Sequence, residues 1–176
     1  IYSYIAIKNY SKGNLKKARK YYKKAYEVKV KELPIVASYA YLLILLEEYD
    51  QAEEVLGVLE SMKPEGKAAT SLMLCNAVLK WKRDKNLIAA LVKVESMDET
   101  MRNQWYYNIY AKLCIFSGNM EKAKSMIDSM QVFCKAKPSP RARAHMLFLK
   151  TTYLAETNAY SSAVAAITVE QKDLNI

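Results

Sequence analysis

The chain carries few residues able to do chemistry. Its one histidine, His145, stands between Ala144 and Met146 with no nucleophile or carboxylate beside it in sequence. General acid–base work needs such a partner to orient the imidazole. Three acidic pairs, Glu47-Glu48, Glu53-Glu54 and Asp98-Glu99, could pass for paired carboxylates. Adjacent positions on a helix diverge by about 100°, so these pairs do not converge on one substrate atom. Cys75, Cys114 and Cys134 are odd in number, widely spaced and contain no C-x-x-C. That pattern suits neither a disulfide framework nor zinc, and it predicts buried, reduced thiols in a cytoplasmic compartment. Neither G-x-x-x-x-G-K-[ST] nor G-x-G-x-x-G occurs, which excludes glycine-rich phosphate cradles. The sequence therefore predicts no catalytic residue, no metal and no cofactor.

Charge is the stronger chemical signal. Residues 1–31 hold ten Lys or Arg and a single acid, Glu27, while the rest of the chain holds 17 bases and 17 acids. The whole net charge of +9 thus lies in the first fifth of the chain. Lys16, Lys17, Lys20, Lys23 and Lys24 form its centre. Nine of the ten bases are Lys, and the remainder of the chain has no net positive field, so no nucleic-acid partner is expected. Two expectations remain for the lysines: a solvated helix face, or attraction to an anionic membrane surface. The apolar start Ile1-Tyr2-Ser3-Tyr4-Ile5-Ala6-Ile7, running straight into the lysines, is like the inner end of a membrane-spanning helix. A membrane-anchoring segment preceding Ile1 is accordingly one expectation, with the domain on the cytoplasmic face.

The elements that must position these residues are helical. At 176 residues and 52% hydrophobic content the chain can bury a sizeable core, yet its 4 Gly and 4 Pro are too few for the turns of a sandwich or barrel. Its longest apolar run, Ile35–Leu46, has the length of a buried helix rather than a membrane span. Lys12-Gly13-Asn14-Leu15-Lys16-Lys17-Ala18 recurs as Ser117-Gly118-Asn119-Met120-Glu121-Lys122-Ala123. Weaker copies end at Ala52, Ala90 and Ala163, so that the five alanines are 34, 38, 33 and 40 residues apart. A period near 34 predicts stacked helix pairs. The layout predicts helices over 1–11, 15–31, 35–47, 50–61, 66–83, 86–96, 99–116, 120–134, 140–156 and 160–171. Pro34 and Pro64 punctuate the joints, Ser139-Pro140 reads as a cap with proline at the first helical position, and Asp98 is the expected cap of the seventh helix. Leu174 and Ile176 are expected to cover core exposed by the last helix.

These residues resemble the tetratricopeptide repeat family. Repeat one matches with Tyr2, Ile5, Ala6, Gly13-Asn14, Ala18, Tyr22 and Ala25. Repeat two matches with Val36, Tyr39, Ala40, Ala52, Leu56, Leu59 and Pro64, and repeat four with Tyr107, Tyr110, Ala111, Gly118-Asn119, Ala123 and Ile127. Repeats three and five are degenerate, with Val78 and Thr151 in place of the small residue on the first helix. The resemblance implies an all-α, right-handed α-solenoid of antiparallel helix pairs. A single domain, 1–176, would then hold repeats at about 1–32, 33–64, 65–97, 98–135 and 139–171.

The resemblance also implies a function. The first helix of each pair would line a concave groove that binds a peptide or partner protein without catalysis. Carried over by position, groove candidates are Tyr10, Tyr41, Lys82, Arg83, Asn108, Lys112, Phe116 and Phe148. Ser3, Ile7, Ala37, Ile44, Cys75, Leu79, Ile115, His145 and Thr152 occupy further groove positions. Aromatic and aliphatic members would anchor apolar side chains, and Lys82, Arg83 and Lys112 would take acidic flanks. Members of the family that clamp a C-terminal carboxylate carry Lys, Asn and Arg where this chain has Ser3, Ile7, Tyr41, Leu72 and Asn76. No clamp is therefore expected. The alternatives are a membrane-tethered structural subunit using its basic end, and, more weakly, an RNA-binding helical repeat.

Overall fold

The computed structural model describes the backbone of residues 1–28, 32–136 and 140–173, and the side chains of these apart from 140–144 and 167–173. Lys29, Lys31, Ser139, Leu174 and Ile176 lie outside the described residues. Every regular element among the described residues is helical, as the composition and periodicity predict. The chain forms two compact units, Ile1–Ser96 and Met97–Ile176.

The first unit contains α1 (Tyr2–Ser11), α2 (Leu15–Val28), α3 (Leu33–Leu45), α4 (Tyr49–Ser61), α5 (Gly66–Lys82) and α6 (Leu87–Glu95). Each odd helix packs on the next even one, and α3 is also packed by α2 and α5. That position explains the apolar run. Ile35, Val36, Ala37, Tyr39, Ala40, Leu42, Leu43 and Ile44 are all buried, because a helix with neighbours on three sides has almost no solvent face. α2 is the opposite case, with Ala18, Tyr22 and Ala25 inward and lysines between them.

The second unit contains a 3-10 turn (Glu99–Met101), α7 (Gln104–Phe116), α8 (Met120–Ala136), α9 (Pro140–Glu156) and α10 (Tyr160–Asp173). Its core gathers Ala111, Ile127, Met130, Cys134 and Leu149, with Tyr107, Met126, Met146 and Tyr153 packed around them.

The five alanines that mark the repeat register are all buried. Each lies on the second helix of a packed pair, where a small side chain lets two backbones approach. The turns before them share one construction. A residue with positive φ stands five positions ahead of each alanine: Gly13, Glu47, Lys85, Gly118 and Asn158. The next residue returns its N–H to the preceding helix, as Asn14 does to Asn9 O (3.0 Å) and Asn119 to Cys114 O (2.9 Å). Its carbonyl then accepts the alanine N–H, so Ala18 bonds Asn14 and Ala123 bonds Asn119. This closes one helix with a left-handed cap and opens the next in three residues.

Two local expectations are corrected. Asp98 does not cap the seventh helix: α7 starts at Gln104, and Asn103 Oδ1 accepts from the Trp105 and Tyr106 N–H groups at 2.9 and 3.1 Å. Residues 99–101 form the separate 3-10 turn instead. Pro34 lies within the first turn of α3 rather than ahead of it, where its missing N–H is no loss.

Candidate functional site

The groove candidates fall into two groups, one per unit. In the first unit Tyr10 and Tyr41 are half-buried, on α1 and α3. Lys82 closes α5, and its ammonium sits 4.3 Å from the centroid of the neighbouring Trp81 ring. Arg83 follows, and its guanidinium is already engaged: one nitrogen reaches Glu53 at 2.8 Å and Nε reaches Asp84 at 2.7 Å. The Glu53 hydrogen bond, then that of Asp84, raises the arginine pKa, while Arg83 and then Lys80 hold the Asp84 carboxyl below its usual range. Arg83 thus ties α5 to α4 and offers a partner little uncompensated charge. Arg19 plays the matching part between α2 and the start of α4, bonding Glu48 through Nε at 2.8 Å.

In the second unit the candidates separate more sharply. Asn108 is only 2% exposed. Its Nδ2 lies 3.4 Å from His145 Nδ1, and its Oδ1 is buried with no hydrogen-bond partner. Asn108 is therefore a packing residue between α7 and α9, not part of an open surface. Ala37, Ile44, Cys75, Leu79 and Ile115 are buried as well. Their helices carry neighbours on more than one side, so these positions turn into core.

Lys112 and Phe148 meet across α7 and α9, and Phe116 stands one turn further along α7. The Lys112 ammonium lies 5.2 Å from the centroid of the Phe148 ring. Phe116 is 59% exposed and Phe148 56% exposed. Phe148 needs both helices in place: Leu149 beside it is fully buried, which fixes the turn of α9 that presents the ring. The result is two exposed rings on neighbouring helices, with a cation against one of them. Exposed aromatic faces of this kind can be covered by an apolar group.

No protein-family model, curated protein or solved structure matches the chain.

Elsewhere the surface carries chemistry of a different kind. Lys8, Lys12, Lys16, Lys17, Lys20, Lys23 and Lys24 are all exposed. Lys23 sits 3.9 Å from Glu27, and the Lys24 ammonium lies 5.6 Å from the Tyr2 ring centroid. Among the described residues no three of His, Cys, Asp and Glu gather as a metal site would require. No described helix is long and apolar enough to cross a membrane. Burial raises the thiol pKa of Cys75 and of Cys134, which keeps both protonated.

The sequence reasoning missed exposed apolar pairs such as Ile88 and Val92, which share a face of α6. The signal was present: Leu87-Ile88-Ala89-Ala90-Leu91-Val92 is apolar all round, and a helix packed mainly on one neighbour must leave some of it outside.

Proposed function

We propose that the chain is a non-enzymatic interaction module built of tetratricopeptide-like helix pairs, whose first helices dock a segment of a partner protein. The observation that carries this is the Lys112, Phe116 and Phe148 patch on α7 and α9. Two half-exposed phenylalanines on adjacent helices are a poor arrangement in water and a good one under an apolar anchor. Full burial of such a side chain stabilises by about 1.5–3 kcal/mol, and half of that remains available at each ring. Lys112 would pair with an acidic residue beside the anchor, setting register more than affinity. The recurrent turns and buried alanines support the family resemblance, because a repeated turn at a repeated spacing is what stacked helix pairs require.

The test is selection of a displayed library of random peptides on the 176-residue chain. Enriched peptides should place an aromatic or aliphatic residue next to Asp or Glu. Truncating Phe116 and Phe148 to Ala together should weaken those peptides by tenfold or more, on the scale of about 1 kcal/mol or more per anchor residue. Circular dichroism should stay unchanged. Peptides that bind the double variant as well as wild type would place recognition elsewhere.

A further inference from the structure

The register alanines let the outer faces of the second helices be compared position by position. Two residues before and two after each alanine stand Lys16 and Lys20 on α2, Asp50 and Glu54 on α4, and Glu121 and Ser125 on α8, all exposed. The helix that follows packs on each of these three and leaves that face open. On α6 the same two positions hold Ile88, 76% exposed, and Val92, 60% exposed. Ala90 and Val94 lie on the other side of α6, buried where it packs on α5. Glu95 follows Val92 by three residues and shares its face, and Lys85 stands three residues before Ile88 in the exposed turn. The stripe is therefore Lys85, Ile88, Val92 and Glu95, at spacings of three, four and three. Both charges stand at the unfavourable end of their own helix, a base ahead of its N-terminus and an acid at its C-terminus.

We infer that this face of α6 docks on the same face of a second copy of the chain, the two helices antiparallel about a two-fold axis at Ala90. A stripe spaced three, four and three is its own complement when reversed. Ile88 meets the partner's Val92 and Lys85 meets the partner's Glu95, and each contact occurs twice. Three-and-four spacing is that of a helix seam, so two such helices about 8–10 Å apart can interdigitate. The end charges are relieved at the same time. Glu95 comes to the positive N-terminal end of the partner's helix, and Lys85 to its negative C-terminal end. A parallel pair would set base on base and acid on acid, and an unrelated partner would have no need of a stripe that reverses onto itself. One nine-residue helix a side is a small contact, below the roughly 1,200 Å² of a standard interface, so the dimer is weak. This face belongs to the first unit and the Lys112, Phe116 and Phe148 face to the second, and either assignment stands without the other.

The experiment is sedimentation velocity of the 176-residue chain. Concentrations run from about 5 μM to about 1 mM, at about 0.05 M salt so that the end charges are little screened. Wild type should pass from monomer to dimer across that range. I88D/V92D should weaken association about 100-fold or more, since four apolar side chains leave the seam. K85E and E95K, each alone, set like charges at both ends of the seam and should weaken association about tenfold. Mixed in equal amounts, K85E and E95K should associate about as tightly as wild type, because every end pair again joins a base to an acid. All four positions are exposed, and circular dichroism of each variant should match wild type. A monomer throughout the range, wild-type association by I88D/V92D, or a K85E and E95K mixture no tighter than either variant alone would overturn the inference.

Discussion

Ala52 and Gly57 lie five residues apart on α4, and substitution at the two sites should move stability in opposite directions. Ala52 has no exposed surface, and it packs where α4 meets α3. Leucine there adds three carbons to a crossing whose separation a methyl group sets. Overpacking of that kind costs about 1–3 kcal/mol. Gly57 is exposed, in the middle of the same helix, and a Cβ built on it meets nothing within 4 Å. Glycine in a helix interior is less favourable than alanine by about 0.5–1 kcal/mol, so Gly57→Ala should recover that amount. For a unit of this size each kcal/mol moves the melting temperature by roughly 4–8 °C. Ala52→Leu should therefore lower the melting temperature of the first unit by roughly 5–20 °C, and Gly57→Ala should raise it by roughly 2–8 °C. Circular dichroism melts and differential scanning calorimetry read both. An Ala52→Leu melt at or above wild type would mean the crossing has room for leucine, and the packing argument for the alanine register would fail.

Three further outcomes follow from the same structure. Cys75, Cys114 and Cys134 are buried thiols outside any disulfide, so a thiol reagent such as dithionitrobenzoate should find almost none of them in the native protein and all of them in denaturant; rapid native labelling would contradict the burial. Asn108→Leu removes an oxygen that has no partner, and although it also removes the contact to His145, it should shift stability by less than about 1 kcal/mol in urea melts; a larger loss would show the amide to be a needed link. Asp84 has its carboxyl pKa lowered by Arg83 and Lys80, so its stabilisation is present above the unfolded-state pKa and is lost as pH falls through the folded-state value. Asp84→Asn should accordingly destabilise slightly at pH 7 and progressively less as pH falls below the ordinary carboxylate range, and an effect that grows on acidification would refute the sign.

The sequence made some of these features legible and concealed others. The alanine series could be found because a helix crossing tolerates little besides a small residue, and that demand leaves a mark at every repeat. The turns at Gly13 and Gly118 were visible because glycine takes positive φ at no steric cost. Glu47 and Lys85 take the same conformation with nothing in their residue type to announce it, whereas Asn158 is of a type that the left-handed region favours. At the start of α7 the expected cap is Asp98, and the residue that caps lies five positions further on. Asn103 prevails because its side chain satisfies two helix N–H groups at once. The groove positions were the least legible. A residue on the first helix of a pair faces solvent or a neighbouring helix according to a rotation of a few tens of degrees, and that rotation set Phe116 outside and Asn108 inside.

The central claim is that a partner segment is held by the exposed face of α7 and α9. Its most direct measurement is a two-dimensional amide NMR titration of the chain with a selected peptide. Shifts concentrated around Lys112, Phe116 and Phe148, and absent from the exposed face of α8 at Val132, are the expected result. Shifts centred on α8, with the three residues unmoved, would contradict it.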